Sequence, residues 1–319
     1  MTRPVSLRIS VTDRCSLRCV YCAPSGHAAK LVRGDGLSYE EMAEFSGLLG
    51  AAYGLKKVRI TGGEPLLRPE IETLVAMLAA KGTPDLALTT DGQRLAGLAE
   101  PLKRAGLGRV NVSLDSLDPA TFASITHGGV LERTIAGIDA ARRAGLGPVK
   151  LNMVVLRGMN DHEPPAMVRF AIRHGCQARF LELMPIGEAA ARFEELFVPS
   201  SEVRAKLAAE FRLTPHPTAP QNTSRDFVAE DGDGQRAIVG LISPTSVPFC
   251  HGCRRLRLTA AGVLIGCLAR DEGIPLAPLL RRKPEADLAG LRAAIERALD
   301  TKRQDGEFAQ PRAMVGIGG

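Results

Sequence analysis

Six short β-branched runs, each followed by a longer amphipathic run, occupy the first part of the chain. Alternation of this kind predicts β-then-α units, which place their strands side by side in a parallel sheet. Right-handed crossovers between the strands would curl that sheet. We therefore predict an α/β fold, a partial (β/α)6 barrel of the TIM type. The predicted strands are Ser6–Val11, Lys57–Thr61, Leu86–Thr90, Arg109–Ser113, Val149–Val155 and Ala178–Leu183.

The ends of several helices also carry sequence signals. Ser38 and Glu41 have the spacing of a capping box, in which each side chain binds the backbone N–H of the other residue. Pro69 suits the start of the next helix, and Gly82 suits its end. A last helix is predicted over Ala286–Lys302, with its apolar residues on one face.

The alternating pattern ends near Pro215. A Pro-rich stretch, His216–Pro220, and a polar turn, Asp231–Gly234, follow it. We predict a barrel domain over residues 1–215 and a C-terminal region over residues 216–319 that covers the open side of the barrel.

Unusual polar residues follow the predicted strands. In parallel barrels the chemistry gathers on the loops after the carboxyl ends of the strands. We therefore expect these residues to meet in one site. They are the first cysteine cluster, Gly62-Gly63-Glu64-Pro65, Asp91-Gly92, Ser113-Leu114-Asp115, Lys150 with Asn152, and Glu182 with Met184.

Three thiols, Cys15, Cys19 and Cys22, lie within eight residues just after the first strand. Three thiolates in one loop can hold three irons of a four-iron cluster and leave the fourth iron open to a small molecule. The alternative is a structural zinc site, which prefers four closed ligands. His27 is the one candidate nearby for a fourth zinc ligand.

A second group of thiols lies in the C-terminal region, at Cys250, Cys253 and Cys267. It again has three cysteines and no fourth. His251 could complete a zinc site, so zinc stays an alternative here. The remaining cysteine, Cys176, is interpreted as a buried small hydrophobe.

The formal net charge is +6, and the basic residues do not form a long run. Arg255 and Arg257 share one face of an extended segment beside the second cysteine group. Their forked side chains suit phosphate oxygens, the alternative being a solvated strand face. Because the chain has no Trp and 4% aromatic residues, a stacking platform for single-stranded nucleic acid is not expected.

Neither a signal peptide nor a membrane span is predicted. The N-terminus has no apolar core of signal-peptide length, and no apolar run approaches the length that crosses a bilayer. We therefore expect a cytoplasmic protein without membrane contact. Seven cysteines in a reducing compartment indicate metal binding or catalysis rather than disulfides.

The spacing C-x₃-C-x-Y-C resembles the signature of the radical S-adenosylmethionine (SAM) superfamily. The lead-in Arg8–Arg14 and the Gly62-Gly63-Glu64-Pro65 turn extend the resemblance. It implies a [4Fe–4S] cluster whose open iron chelates the amino and carboxylate groups of SAM. An electron from the cluster then cleaves the sulfonium and yields a 5′-deoxyadenosyl radical, with the protein supplying orientation and a closed cavity.

The C-terminal half resembles one family specifically, the GTP 3′,8-cyclases of molybdenum cofactor biosynthesis. The second cysteine spacing, the Arg255-Leu-Arg-Leu-Thr-Ala260 segment and the Gly318-Gly319 tail carry this resemblance. It implies a second [4Fe–4S] cluster that binds the guanine of GTP, and a tail that enters the active site. Residues implied near SAM are Tyr21, Gly63, Thr89, Ser113, Asn152 and Met184. Residues implied near the triphosphate are Arg8, Lys57, Arg59, Lys150, Arg179, Arg255 and Arg257.

The reaction implied by this resemblance starts with removal of hydrogen from C3′ of GTP. The C3′ radical attacks C8 of guanine, and reduction with protonation gives the 3′,8-cyclised nucleotide. The implied partners are GTP, an electron donor, the next enzyme of the pathway and a second copy of the chain in a homodimer. No nucleic-acid partner is expected.

Several positions depart from the family pattern, and three rival functions follow from the residues. Asp91 stands where Asn is usual, Arg254 replaces Asn, Ala261 replaces Asp, Ile265-Gly266 replaces Arg-Pro, and Val315-Gly316 stands where Ser is common. A paralogue acting on another purine nucleotide is one rival. A radical SAM enzyme that modifies a peptide is the second. A zinc-containing nucleic-acid-binding protein, with affinity that falls steeply with salt, is the third.

Overall fold

A computed structural model describes residues 4–22, 36–219, 222–281, 287–302, 308 and 314–317. The strands are β1 Val5–Ser10, β2 Leu55–Thr61, β3 Leu86–Thr90, β4 Arg109–Ser113, β5 Lys150–Val154, β6 Gln177–Leu181, β7 Arg212–Pro215, β8 Arg225–Glu230, β9 Arg236–Ile242, β10 Arg255–Leu258, β11 Val263–Ile265 and β12 Ile274–Pro275. The first six lie within two residues of the predicted bounds.

Helices follow the strands as the alternating pattern predicts. They are α1 Tyr39–Tyr53, α2 Ile71–Ala80, α3 Leu95–Arg104, α4 Pro119–Thr126, α5 Leu131–Arg143, α6 Pro164–Arg173, α7 Phe193–Leu196, α8 Ser200–Ala208, α9 Ala277–Leu280, α10 Leu288–Asp300 and α11 Met314–Ile317. Short 3₁₀ turns lie at Pro65–Leu67 and Gly187–Arg192. Among the described helices, none is long and apolar enough to cross a membrane.

The strands form one open sheet in the order β12-β11-β10-β1-β2-β3-β4-β5-β6-β9-β8-β7. Neighbours from β1 to β6 pair in parallel, and β10 and β9 extend the parallel set beside β1 and β6. The sheet does not close, so the predicted α/β partial barrel is confirmed. Strands that follow residue 215 add to both edges of the sheet, and the domain division at that residue stays a prediction.

Local sequence explains how two of the helices begin. The capping box at α1 is confirmed, because Ser38 Oγ accepts from Glu41 N at 3.2 Å and Glu41 Oε2 accepts from Ser38 N at 2.7 Å. Helix α2 begins at Ile71, two residues after Pro69, and Glu70 precedes it with a left-handed φ of 54° and no side-chain cap. Pro69 therefore lies in the turn before this helix rather than at its first position.

Alternating side chains of the parallel strands separate an apolar layer from a polar one. The apolar set on β1, β2 and β4 packs into the main core, which the helices share: Leu7, Ile9, Val58, Ile60, Val110 and Val112. The intervening positions of the same strands carry Arg8, Arg59 and Ser113, which line the inside of the curved sheet. Since successive side chains point to opposite faces, one pattern produces both the core and the polar interior.

Candidate active site

A single cavity at the carboxyl ends of the parallel strands receives most of the predicted site residues. Both cysteine trios line it, together with Tyr21, Gly63, Thr89, Ser113, Asn152, Met184, Arg8, Arg59, Arg179, Arg255 and Arg257. Lys57 and Lys150 are not in its lining. They lie two residues before Arg59 and Asn152 on the same strands, toward the amino ends. Gly318 and Gly319 lie outside the described residues.

The first thiol trio occupies the loop after β1. Leu17 N donates to Cys15 Sγ at 3.4 Å, and Cys22 N donates to Cys19 O at 2.9 Å. Burial raises the pKa of Cys15 to about 12, and burial with the neighbouring Asp115 carboxylate raises the pKa of Cys19. A bound cation is therefore needed to hold these groups as thiolates.

Tyr21, which lies between two of these cysteines, is tied to the opposite strands. Its hydroxyl donates to Asp115 Oδ2 at 2.6 Å, and Asp115 Oδ1 accepts from Val154 N at 2.9 Å. Burial raises the pKa of Asp115 to about 6. Asp115 thus holds the cysteine loop against the ends of β4 and β5, a role that the sequence pattern alone does not assign to it.

The Gly62-Gly63-Glu64 turn packs directly on the segment before the cysteines. A Cβ at Gly62 would lie 2.7 Å from Thr12 O, so the approach requires glycine. Gly63 N donates to Thr12 O at 2.7 Å. Glu64 is buried and accepts from Leu66 N, Thr90 Oγ1 and Asp91 N at 2.9, 2.8 and 2.7 Å. Burial and the adjacent Asp91 raise the pKa of Glu64.

The positions implied near SAM form the wall beside this turn. Thr89 Oγ1 accepts from Asn111 Nδ2 at 3.2 Å. Ser113 on β4 pairs in register with Asn152 on β5. Asn152 Oδ1 is buried and has no hydrogen-bond partner among the described residues. A buried acceptor without a partner is costly, so this oxygen fits a donor from a bound molecule.

The second thiol trio lies in a basic environment. Cys253 N donates to Cys250 O at 3.0 Å. Lys302, just after α10, donates from Nζ to Arg255 O and Gly266 O, and thereby joins the two segments that carry the trio. Burial opposes the effect, but Lys302 and Arg255 lower the pKa of Cys253 below its ordinary value. Burial in turn lowers the pKa of Lys302 to about 8.

A row of arginines crosses the inside of the sheet. Arg8 pairs in register with Arg257 on one side and with Arg59 on the other. Burial and these two neighbours lower the pKa of Arg8, and burial with the nearby Arg255 lowers the pKa of Arg257 to about 9. Cations that are buried together repel one another, so the row fits a compact polyanion.

The two predicted lysines lie at the amino ends of the strands. Lys57 forms an ion pair with Asp85 at 3.2 Å. Burial and nearby Arg179 lower the pKa of Lys150 to about 7. Arg179, whose charge acts on Lys150, itself lines the cavity.

The departures from the family pattern fall in different surroundings. Asp91 is buried, and its Oδ1 accepts from Gln93 N at 2.9 Å. Arg254 Nε is buried without a hydrogen-bond partner in the described part of the chain, whereas Ala261 is exposed in the turn between β10 and β11. Ile265 is buried against Ile317 of α11, and Met314 of the same helix lines the cavity.

These residues fit the groups that the sequence implies. Two sets of three thiols line one cavity, the glycine turn approaches the first set closely, and the Asn152 acceptor has no described partner. Within the described residues no three His, Cys, Asp or Glu side chains converge to hold one metal ion. Thiols that bind separate irons of one cluster stand farther apart than the ligands of a single ion.

An open parallel sheet with three thiols after its first strand and a Gly-Gly-Glu turn after its second is the arrangement of a radical SAM enzyme. A family model described as the radical SAM superfamily matches residues 9–171. A second model, described as molybdenum cofactor synthesis C, matches residues 176–308. The class is thus a two-part enzyme with SAM and iron–sulfur clusters as its cofactors.

Curated relatives define the family more closely. GTP 3′,8-cyclase 1 of Pseudomonas aeruginosa is 43% identical over 304 residues, which cover 95% of this chain and 91% of the relative. The GTP 3′,8-cyclase of Moorella thermoacetica is 42% identical over 318 residues, which cover 98% and 97%. The chain belongs to the GTP 3′,8-cyclase family.

Solved structures agree with this fold. Streptococcus suis SuiB bound to S-adenosylmethionine matches 92% of this chain and 68% of its own length, with a TM-score of 0.63 and 14% identity. SuiB bound to the precursor peptide SuiA gives a TM-score of 0.63. Likeness at this identity shows the fold alone, so it does not favour a peptide substrate for this chain.

Lys302 is a site residue that sequence reasoning did not identify, whereas Asp115 and Glu182 were expected at the site without an assigned role. The carboxylate of Glu182 accepts from Ser200 N at 2.8 Å and from Ser246 N at 2.9 Å, and so fixes the loop before Cys250. Asp115 and Glu182 were expected there because they lie at the carboxyl ends of strands. No sequence pattern indicated that Lys302 belongs to the site, because it ends a predicted helix and its contacts lie far away along the chain.

Proposed function

We propose that this chain converts GTP to its 3′,8-cyclised dihydro form, with both cysteine trios holding [4Fe–4S] clusters in one cavity. The observation that carries the proposal is the lining of that cavity, where two thiol trios share one space with the row Arg257, Arg8 and Arg59. GTP as substrate and the cyclase activity are those of the family. When bound, SAM and its cluster supply a carbon radical that can remove hydrogen from a C–H bond.

The proposed role of the protein is positioning. The arginine row and Arg179 bind the triphosphate and thereby place the ribose between the two trios. Holding reacting groups in a fixed geometry converts binding energy into rate. Asn152, Ser113, Thr89 and Met184 form the wall for SAM, and the Gly318-Gly319 tail is proposed to close the site.

Further partners follow from the chemistry. An electron donor must reduce the cluster, and an enzyme of the same pathway must consume the cyclised nucleotide. A cytoplasmic location agrees with an enzyme that depends on reduced thiols. Association into a homodimer and the division into residues 1–215 and 216–319 belong to the same proposal.

Arg257→Ala tests the substrate part of the proposal. Because Arg257 is buried among cations in the cavity, we expect GTP to bind about ten-fold more weakly or worse in this variant. Iron content should remain that of two clusters. The measurement is anaerobic calorimetric titration of GTP, with iron counted on the same sample.

Arg133→Ala is the matched control, since Arg133 is exposed on α5 and lies outside the cavity lining. Its affinity for GTP should equal that of the unaltered protein. Equal affinities in Arg257→Ala and the control would remove Arg257 from the phosphate site.

A further inference from the structure

The arginine row inside the sheet continues from Arg59 to Arg109, two strands farther along the sheet. Arg59 on β2 pairs in register with Ala87 on β3, and Ala87 pairs with Arg109 on β4. Arg109 is two residues before Asn111 and four before Ser113, so it shares the inward face with Ser113, which lines the cavity. The small Ala87 side chain leaves space between the two guanidinium groups.

The Arg109 side chain is held rigidly. Its Nε and Nη2 donate to the two carboxylate oxygens of Asp85, each at 2.9 Å. The same carboxylate accepts the 3.2 Å ion pair from Lys57. The third donor group, Nη1, is buried and has no hydrogen-bond partner among the described residues. A fixed guanidinium with one unused buried nitrogen is a pre-formed site for an anionic oxygen.

The charge around Arg109 is strongly unbalanced. The charge of Arg109 lowers the pKa values of four other cations, Lys57, Arg59, Lys150 and Arg179. The acidic groups that raise pKa values in this set are Asp85 and Asp226. Five cations against two carboxylates leave a formal excess of three positive charges. Burial, Arg179 and Arg109 together lower the pKa of Lys150 to about 7, as expected for a cation set without its anion.

These residues form a floor across the amino ends of the strands, consisting of Lys57, Asp85, Arg109 and Lys150. Four residues of strand place Arg109 about 13 Å from Ser113 along β4. A nucleotide whose ribose lies between the thiol trios would therefore reach the floor only with the far end of its phosphate chain. Arg109 also lies two strands, about 10 Å, across the sheet from Arg59, so a monophosphate held by Arg8, Arg59 and Arg257 would not reach it.

We propose that Arg109, oriented by Asp85, is a further phosphate-binding residue and that it selects the triphosphate over shorter phosphate chains. This inference rests on the proposed function, since it concerns the same nucleotide site. Asp85 acts through Arg109 and is a positioning residue.

The test compares GTP and GMP binding to protein loaded with both clusters, by anaerobic calorimetric titration. Arg109→Gln should raise the Kd for GTP about ten-fold or more and leave the Kd for GMP within about two-fold. Arg109→Lys, which keeps the charge but loses the fork, should lie between the two. The double variant Asp85→Asn with Arg109→Gln removes the ion pair as a unit, and it should show the same loss of GTP preference.

Asp85→Asn alone keeps Arg109 but removes the carboxylate that orients it. It should weaken GTP binding less than Arg109→Gln does and leave the Kd for GMP within about two-fold. Arg109 variants that weaken GTP and GMP by the same factor, or that leave GTP affinity unchanged, would overturn the inference. Failure of the unaltered protein to bind GTP would instead overturn the proposed function.

Discussion

Charged residues around the two thiol trios differ in sign. Glu64, Asp91 and Asp115 lie near the first trio, where their charges raise thiol pKa values. Lys302 and Arg255 lie near the second and act in the opposite direction. One cavity thus has an acidic side suited to the sulfonium and amino group of SAM, and a basic side suited to a nucleotide. This electrostatic complementarity favours SAM on the acidic side and the nucleotide on the basic side.

Lys150 gives the site a predicted pH dependence. Burial lowers its pKa to about 7, so in the free protein it loses its proton as the pH rises above 7. A bound phosphate would favour the charged form and raise that pKa again. Proton uptake then accompanies binding, and GTP affinity should fall as the pH rises from about 7.5 to 9. Titrations across this range measure the slope.

Lys150→Arg is the control for this effect. An arginine at this position stays protonated over the whole range, so the slope should flatten while binding persists. An identical slope in the variant and in the unaltered protein would assign the proton to another group.

Asp115 is expected to be needed for retention of the first cluster. Asp115→Ala leaves the Tyr21 hydroxyl and Val154 N without their acceptor, and each loss costs about 1–3 kcal/mol. Outer partners of metal ligands typically contribute about ten-fold or more to metal affinity. We expect iron to be lost from the first trio, measured after replacement of Cys250, Cys253 and Cys267 by alanine so that one cluster is counted.

Asp118→Ala is the matched control at a neighbouring aspartate. Asp118 Oδ1 accepts from Thr121 N at 2.8 Å and caps α4. Its replacement should cost about 1 kcal/mol of stability and leave the iron content unchanged. Equal iron content in the Asp115 and Asp118 variants would mean that Asp115 does not hold the loop.

At the scale of elements, helix α10 packs closely against the segment before Cys267. A Cβ at Gly266 would lie 1.8 Å from Ala298 O and 2.4 Å from Thr301 Oγ1, so backbone must shift to admit it. Gly266→Ala should therefore lower the free energy of unfolding by about 2 kcal/mol or more and displace Cys267. Thermal or denaturant unfolding and the iron content of the second trio are the measurements.

Gly97→Ala is the opposite case in the same chain. Gly97 is exposed within α3, and a Cβ there would meet nothing within 4 Å. Alanine should stabilise the protein by about 0.5–1 kcal/mol, because it restricts the unfolded chain and favours the helix. A Gly266→Ala variant that is as stable as Gly97→Ala would contradict the packing of α10 on this segment.

The elements differ in how far their sequence predicts them. Local signals located the six strands and the capping box at Ser38 and Glu41, because alternation and capping depend on near neighbours. Period-two alternation also indicated that Arg255 and Arg257 share one face, and both line the cavity. The start of α2 was not predicted correctly, because Glu70 adopts a left-handed backbone conformation that its residue type does not predict. Lys302 was missed because its contacts, Arg255 and Gly266, lie far away in sequence.

At the scale of the whole molecule, one sheet carries the entire site. Strands after residue 215 pair with both β1 and β6, so the second thiol trio is joined to the barrel through continuous backbone hydrogen bonds. Sequence reasoning expected this region to cover the open side of the barrel, and it did not predict that strands of this region extend the sheet. The reason is that pairing between β1 and β10 joins residues about 250 positions apart, and no local pattern specifies such a contact.

Because both halves of the chain line the cavity, both are needed for the chemistry. The cavity has walls from β1 to β6 and from the segments around Cys250 and Cys267. A radical formed at the first trio would be useful only if a substrate held by the second half lies within reach of it. SAM cleavage and GTP rearrangement should therefore occur together.

The most direct test is hydrogen transfer from a labelled substrate. Protein loaded anaerobically with both clusters is supplied with SAM, a reductant and GTP deuterated at C3′, and the products are analysed by mass spectrometry. The proposed function predicts deuterium in the 5′-deoxyadenosine and a 3′,8-cyclised nucleotide in equal amount, with neither product formed by a Cys19→Ala variant. Cleavage of SAM that leaves the deuterium on intact GTP would contradict it.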